Sequence, residues 1–393
     1  MENLIIKLNR TLKWQWLPDI AQWVIQQALA IHRIPAPTFY EEQRGIYIME
    51  QFKALGLVEV EMDALYNVYG LLPGNNRSLP GLMISAHTDT VFPQDTDLKV
   101  TVKDDLIYGA GLGDNSIGVA GMMGLIAAFQ RQNWTAECDL WFVATTREEG
   151  LGDLGGMRAA FEKLKSRIAS VINLEGLAFG HIYHAGIAVR RLHIKASAPG
   201  GHSWLHFGRP SAIHGIVELG ARITSIHPPQ NARTTYNIGM IEGGQSINSI
   251  ATSASLWLDL RSEEPTALQL LERQVRSEIE AINKSELTMA IEVVGDRPAG
   301  NISTSHPLVL GAMAALAQVG VRGSLETGST DANVPLAAGY PAVTIGITRG
   351  GNAHRLDEYI ETKPIEAGMR QLTLLALAAA SYQYDEKSSL KGG

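Results

Sequence analysis

The chain has one cysteine, Cys138, among its 393 residues. A lone thiol excludes an intrachain disulfide framework and any cysteine-rich zinc module. Cys138 lies in the apolar run ECDLWFVAT and reads as a small buried hydrophobe. A basic block is also missing: the formal charge is −7, spread along the chain, which argues against a nucleic-acid partner. No uninterrupted apolar segment approaches the roughly 18–20 residues a membrane span needs. The N-terminal stretch MENLIIKLNRTLKWQWLPDI lacks the sustained apolar core and small-residue cleavage site of a signal peptide. A soluble, cytoplasmic protein is expected.

Two catalytic signatures are likewise incomplete. GAGLGDNSIG is glycine-rich before a helix, but after Gly109 and Gly111 the dinucleotide fingerprint needs glycine at the position of Asp114. The Gly-Lys-Ser/Thr of a phosphate loop is absent too. No G-x-S-x-G elbow surrounds Ser116, which disfavours a serine hydrolase.

What is present is a core. Apolar residues make up 45% and charged residues 19%, a globular balance over a length that suits two or three domains. Helical spacing covers 19–31 and 39–55, with the breaker IPAPT between them. VYGLL, GLMIS, LWFVAT and ASVINL read as strands, alternating with helices at 116–129 and 155–164. That alternation predicts an α/β fold, a mostly parallel sheet covered by helices. After residue 186 the order becomes β-α-β-β-α-β, the ferredoxin-like arrangement. The chain then resumes with the helix HPLVLGAMAALAQVG, the strand PAVTIGI and a helix over 366–382. The expected organisation is a first domain segment over 1–186, an inserted α+β domain over 187–299, and the rest of the first domain over 300–393.

The acids and histidines of the larger domain follow one rule. His87 and Asp89 follow the strand GLMIS, Glu148 and Glu149 follow LWFVAT, and Glu175 follows ASVINL. His354 comes after PAVTIGI and a glycine-rich loop, and Asp114 opens the helix 116–129. Ligands of open α/β sheets bind beyond the carboxyl ends of strands, so these segments would deliver their side chains to one rim. Singly, each has a plainer reading: Asp114 as a helix cap, His87 as a hydrogen-bonded core histidine, the glutamates as a solvated turn. Together they would repel one another unless a cation sat among them. If Asp114 bridges two ions, His87 and Glu175 complete one site, and Glu149 and His354 the other. Each ion then has three protein ligands and room for a shared water. Glu148 would take the proton of that water and return it to the leaving amine, while Asp89 would orient His87.

With these residues in place the chain resembles the di-zinc exopeptidases and deacylases that include carboxypeptidase G, peptidase T, acetylornithine deacetylase and succinyl-diaminopimelate desuccinylase. The matching pieces are SAHTDTVFP (85–93), GAGLGDNSIG (109–118), TREEGLG (146–152), NLEG (173–176) and NAHRLDEYI (352–360). The resemblance implies metal ligands at His87, Asp114, Glu149, Glu175 and His354, Glu148 as base, Asp89 as supporting acid, and a cis peptide after Asp114. The implied metals are two divalent ions, zinc in first place, with cobalt or manganese as alternatives. It implies that the inserted domain is a lid and dimerisation domain, so that the chain is a homodimer. In GGHSW (200–204), GGQSINSIA (243–251) and LDLRS (258–262), His202, Asn248 and Arg261 resemble lid groups that hold substrate. GSTDAN (328–333) resembles a loop near the metals.

Two departures stand out. Arg147 precedes the glutamate pair where many relatives carry an acid. Glu175 matches the carboxypeptidase G and deacylase members, whereas GSTDAN leans towards peptidase T. The expected activity is amide hydrolysis of small substrates, first as an exopeptidase on short peptides, with an N-acyl-amino-acid deacylase as the alternative. A catalytically inactive binding protein on the same fold is a more distant one, and the presence of all five ligands and the base argues against it.

Overall fold

A computed structural model describes residues 1–382; residues 383–393 of the segment expected over 300–393 lie outside the described residues. The chain divides into two compact units, one formed by Met1–Gly186 with Gly300–Gly393 and the other by Ile187–Ala299.

The larger unit is built on a nine-stranded sheet. Its strands run in the order Val58–Met62, Val68–Leu72, Leu140–Thr145, Gly81–His87, Ile168–Leu174, Ala342–Ile345, His181–Gly186, Gly300–Asn301, and Ser324–Gly328 also pairs with His181–Gly186. The four central strands, from Leu140–Thr145 to Ala342–Ile345, are mutually parallel, and most of the outer pairings are antiparallel. The central strands read as continuous apolar runs because both sheet faces are covered. Leu82, Ile84 and Ala86 join one apolar cluster and Met83 joins another, the alternation a strand imposes. The first cluster includes the helices Leu17–His32, Ile117–Gln132 and Ile365–Ala380; the second includes Gly155–Leu164.

Helix Ile117–Gln132 is buried at every position from Ile117 to Phe129. It packs on the sheet and on both neighbouring helices, which is why it is apolar all round. With the turn before it, Leu112–Gln132 is one stretch long and apolar enough for a membrane span, contrary to the reading of the sequence. The window concerned is 94% buried inside the structure, so this is the core helix of the unit. At Gly124 a Cβ would collide with Val24; the missing side chain allows the two helices to close.

Register sets the rim. His87 is opposite Thr145, Ser85 is opposite Asn173, and Leu174 is opposite Ile345. The parallel strands therefore end nearly level, and the loops that follow them emerge on one side.

The smaller unit has four antiparallel strands in the order Thr234–Gly243, Ser253–Ser262, Ala188–Ser197, Thr288–Arg297. Helices Ala212–Thr224 and Pro265–Ile282 share an apolar cluster with Leu192, Ile194, Leu256, Leu258 and Leu260 on this sheet. This is the β-α-β-β-α-β order expected from the sequence.

Candidate metal centre

Asp114 sits in the turn before the core helix, with a cis peptide bond to Asn115, as the family resemblance implies. Its side chain caps nothing. Oδ1 lies 3.0 Å from His87 Nε2, and Oδ2 lies 3.1 Å from His354 Nε2. His87 Nε2 is also 3.4 Å from Glu175 Oε2, and His354 Nε2 is 3.1 Å from Glu149 Oε1. One carboxylate thus faces two imidazole–carboxylate pairs, one through each oxygen. Donor atoms of His87, Asp114 and Glu175 lie within 4.8 Å of one another, as do those of Asp114, Glu149 and His354, and those of His87, Glu148 and Glu149.

The surrounding chain fixes these positions. His87 Nδ1 donates to the carbonyl of Asp89 at 3.1 Å, which places a proton on Nδ1 and turns Nε2 towards Asp114 and Glu175. Asp89 is fully buried. Its Oδ1 accepts from the amide of Glu148 and its Oδ2 from the amide of Glu149, both at 2.9 Å; Thr38 Oγ1 donates to Oδ2. Asn115 donates to the carbonyl of Leu174 and accepts from the amide of Gly176, both at 2.8 Å, so the Asp114 turn is stitched to the strand end that carries Glu175. Gly176 must be glycine, because a Cβ there would strike the carbonyl of Gly113.

The electrostatics of the cluster favour a bound cation. Among the described residues, Asp114, Glu148, Glu149 and Glu175 are grouped with two imidazoles, those of His87 and His354. Burial, with repulsion from Asp114 and Glu148, pushes Glu149 and Glu175 up to about 7 against the pull of the histidines. Hydrogen bonds to Asp114 and Glu149 raise His354 to about 10. Burial favours neutral His87, but Glu175, Asp114 and Asp89 outweigh it and hold its pKa well above the usual value. Burial likewise works against ionised Asp114, yet bonds to His354 and His87 keep it well below the carboxylate range. A bound metal ion would offset the carboxylate charge of this cluster, and mixed imidazole and carboxylate donors suit zinc, cobalt or manganese. The His354 side chain is 53% exposed whereas that of His87 is 2% exposed, so the centre opens to solvent on the His354 side.

Among the residues expected to bind substrate, His202 and Asn248 come together in the smaller unit. Gly201–His202 pairs with Ser249–Ile250, and the amide of Ser203 donates to the carbonyl of Asn248. Arg261 lies on Ser253–Ser262 with its Nε 2.6 Å from Asp259 Oδ2.

Several residues beside the centre escaped the sequence reading. Glu41 accepts from the amide of Arg147 at 3.0 Å. Arg44 is fully buried, donating to the carbonyls of Thr88 and Ile34. Asp331 is buried and accepts from Thr145 Oγ1; burial, reinforced by Glu148, raises its pKa well above the ordinary value. Glu358 accepts from the amides of Gly113 and Asp114, and burial lifts it to about 7. GSTDAN and NAHRLDEYI were marked by the family resemblance as segments near the metals, but nothing in the sequence singled out Asp331 or Glu358 within them, or Glu41 and Arg44 elsewhere.

The parallel sheet thus brings a cluster of histidines and carboxylates to its strand ends, the arrangement of a candidate metal centre. The model of Peptidase family M20/M25/M40 matches residues 83–378; the chain belongs to this family and is a hydrolase acting on amide bonds. The succinyl-diaminopimelate desuccinylase of Corynebacterium glutamicum is 25% identical over 342 residues, covering 84% of this chain and 90% of that protein. A probable carboxypeptidase of Arthroderma otae is 27% identical over 261 residues, 60% of this chain but only 55% of its own length. A tripeptidase of known structure from Staphylococcus aureus matches with a TM-score of 0.76 and 21% identity, covering 92% of this chain and 98% of that one, a likeness of fold.

Proposed function

We propose that the chain is an exopeptidase on short peptides, acting in the cytoplasm as a homodimer paired through residues 187–299. The observation that carries this reading is the two-sided contact of Asp114, 3.0 Å from His87 and 3.1 Å from His354, with Glu148 beside the cluster. Two divalent ions, zinc in this reading, held by His87, Asp114 and Glu175 and by Asp114, Glu149 and His354, would supply an activated water and polarise the scissile carbonyl. Glu148 takes the proton of the attacking water and delivers it to the leaving amine. Asp89 holds the backbone of Glu148 in place and orients His87 in the same gesture. His202, Asn248 and Arg261 bind the polar ends of the substrate, with His202 aiding the oxyanion.

A second reading, N-acyl-amino-acid deacylase, is favoured by the desuccinylase relative, which aligns over 84% of this chain. A hydrolysis panel on the zinc- or cobalt-loaded protein separates the two, with Glu148→Ala as control. Cleavage of unblocked di- and tripeptides supports the exopeptidase. Cleavage confined to N-acetyl or N-succinyl amino acids supports the deacylase, and cleavage of none of these overturns both.

A further inference from the structure

We propose that Glu358 is a positioning residue that clamps the Asp114 turn to the His354 loop and so sets the half of the centre formed by Asp114, Glu149 and His354. The inference rests on the ligand assignment above and adds to it a residue outside the ligand set.

Glu358 is fully buried, an expensive place for a carboxyl group. Its Oε1 accepts from the amide of Gly113 at 2.6 Å and from that of Asp114 at 2.9 Å. Its backbone carbonyl accepts from the amide of Gly109 at 2.9 Å. A single residue thus receives three amides of the 109–114 turn, including that of the bridging carboxylate itself. Four residues earlier in the chain stands His354. The segment between them is cross-linked by its own side chains: Asn352 donates to the carbonyl and carboxylate of Asp357, and Arg355 pairs with Asp357 at 2.8 Å. Beyond Glu358 the strand Tyr359–Glu361 pairs with Leu106–Tyr108, which leads back into the same turn. Glu358 therefore lies where the two ligand-bearing segments meet, and its contacts fix the 3.1 Å approach of His354 Nε2 to Asp114 Oδ2. The other half is tied down by different bonds, from His87 to the Asp89 carbonyl and from Asn115 to Leu174 and Gly176. Asp114 belongs to both halves, but these further ties hold the His87 half, so loss of Glu358 should fall mainly on the His354 half.

The test is a calorimetric titration of zinc into chelated protein. Wild type should show two binding events. Glu358→Ala should weaken one at least tenfold and leave the other within threefold. Glu358→Gln keeps an acceptor for both amides and should restore the weakened event to within threefold of wild type. In a His354→Ala background, adding Glu358→Ala should leave the remaining event within threefold. Equal weakening of both events, no weakening, or a Gln variant as impaired as the Ala variant would overturn the clamp alone. A wild-type protein that takes up no zinc would overturn the ligand assignment and the clamp with it.

Discussion

The amide of Glu148 donates to Asp89 Oδ1 at 2.9 Å, and both residues are buried. The neighbouring amide of Glu149 takes the other oxygen, so one carboxylate holds the backbone of two adjacent glutamates. Burial opposes the charge on Asp89, but His87 and these two amides outweigh it and keep its pKa below the usual value, so the anchor stays ionised.

Division of labour between the two glutamates gives the first prediction. Glu148→Ala should keep the metal content of wild type and lose about 10³-fold in kcat, the scale of general acid–base catalysis. Elemental analysis alongside steady-state kinetics checks this. Loss of metal from that variant would mean that the roles of Glu148 and Glu149 are reversed.

Arg44 gives a stability prediction. Its guanidinium is buried against the Thr88 and Ile34 carbonyls and lies within electrostatic reach of Asp89 and Glu41. Removing one partner from a buried ionic network typically costs about 3–5 kcal/mol. Arg44→Met should lower unfolding free energy by that order in a urea titration; a loss below about 1 kcal/mol would mean that Asp89 and Glu41 do not need it.

His32 sets a pH dependence. Burial lowers its pKa to about 4, and Nε2 donates to the carbonyl of Leu98 at 3.1 Å. The unfolded chain therefore protonates first as pH falls below about 6.5, and this group's stability contribution, present above that pH, is lost on the way to pH 4. The loss amounts to on the order of 3 kcal/mol. Urea unfolding of chelated protein at pH 7 and pH 4.5 should show a larger drop for wild type than for His32→Gln, whose amide can donate to the same carbonyl. Equal drops would remove His32 from the account.

The central strands and the clustering of His87, Asp114, Glu149, Glu175 and His354 were legible in the sequence because parallel strands covered on both faces are short apolar runs, with reactive side chains in the loops beyond them. LWFVAT and the helix 155–164 coincide with the structure to the residue. The edges were not legible. VEVEM over Val58–Met62 is largely exposed and polar; Thr101–Lys103 and Leu106–Tyr108 are three-residue strands of a tight hairpin, and the second of them pairs with Tyr359–Glu361, far along the chain. Local pattern carries no trace of such partners. Glu41, Arg44 and Glu358 were missed for a related reason: they are charged residues with solvent-facing character in any local reading, and only tertiary contact reveals the amides and carbonyls they serve.

The most direct test of the metal centre is to titrate zinc into exhaustively chelated protein while following hydrolysis of an unblocked tripeptide, beside His354→Ala. Activity should be absent at the start, rise to a plateau by two equivalents in wild type, and accompany one fewer bound equivalent in His354→Ala. Undiminished hydrolysis after chelation, or unchanged stoichiometry in His354→Ala, would contradict the bridging role assigned to Asp114 between His87 and His354.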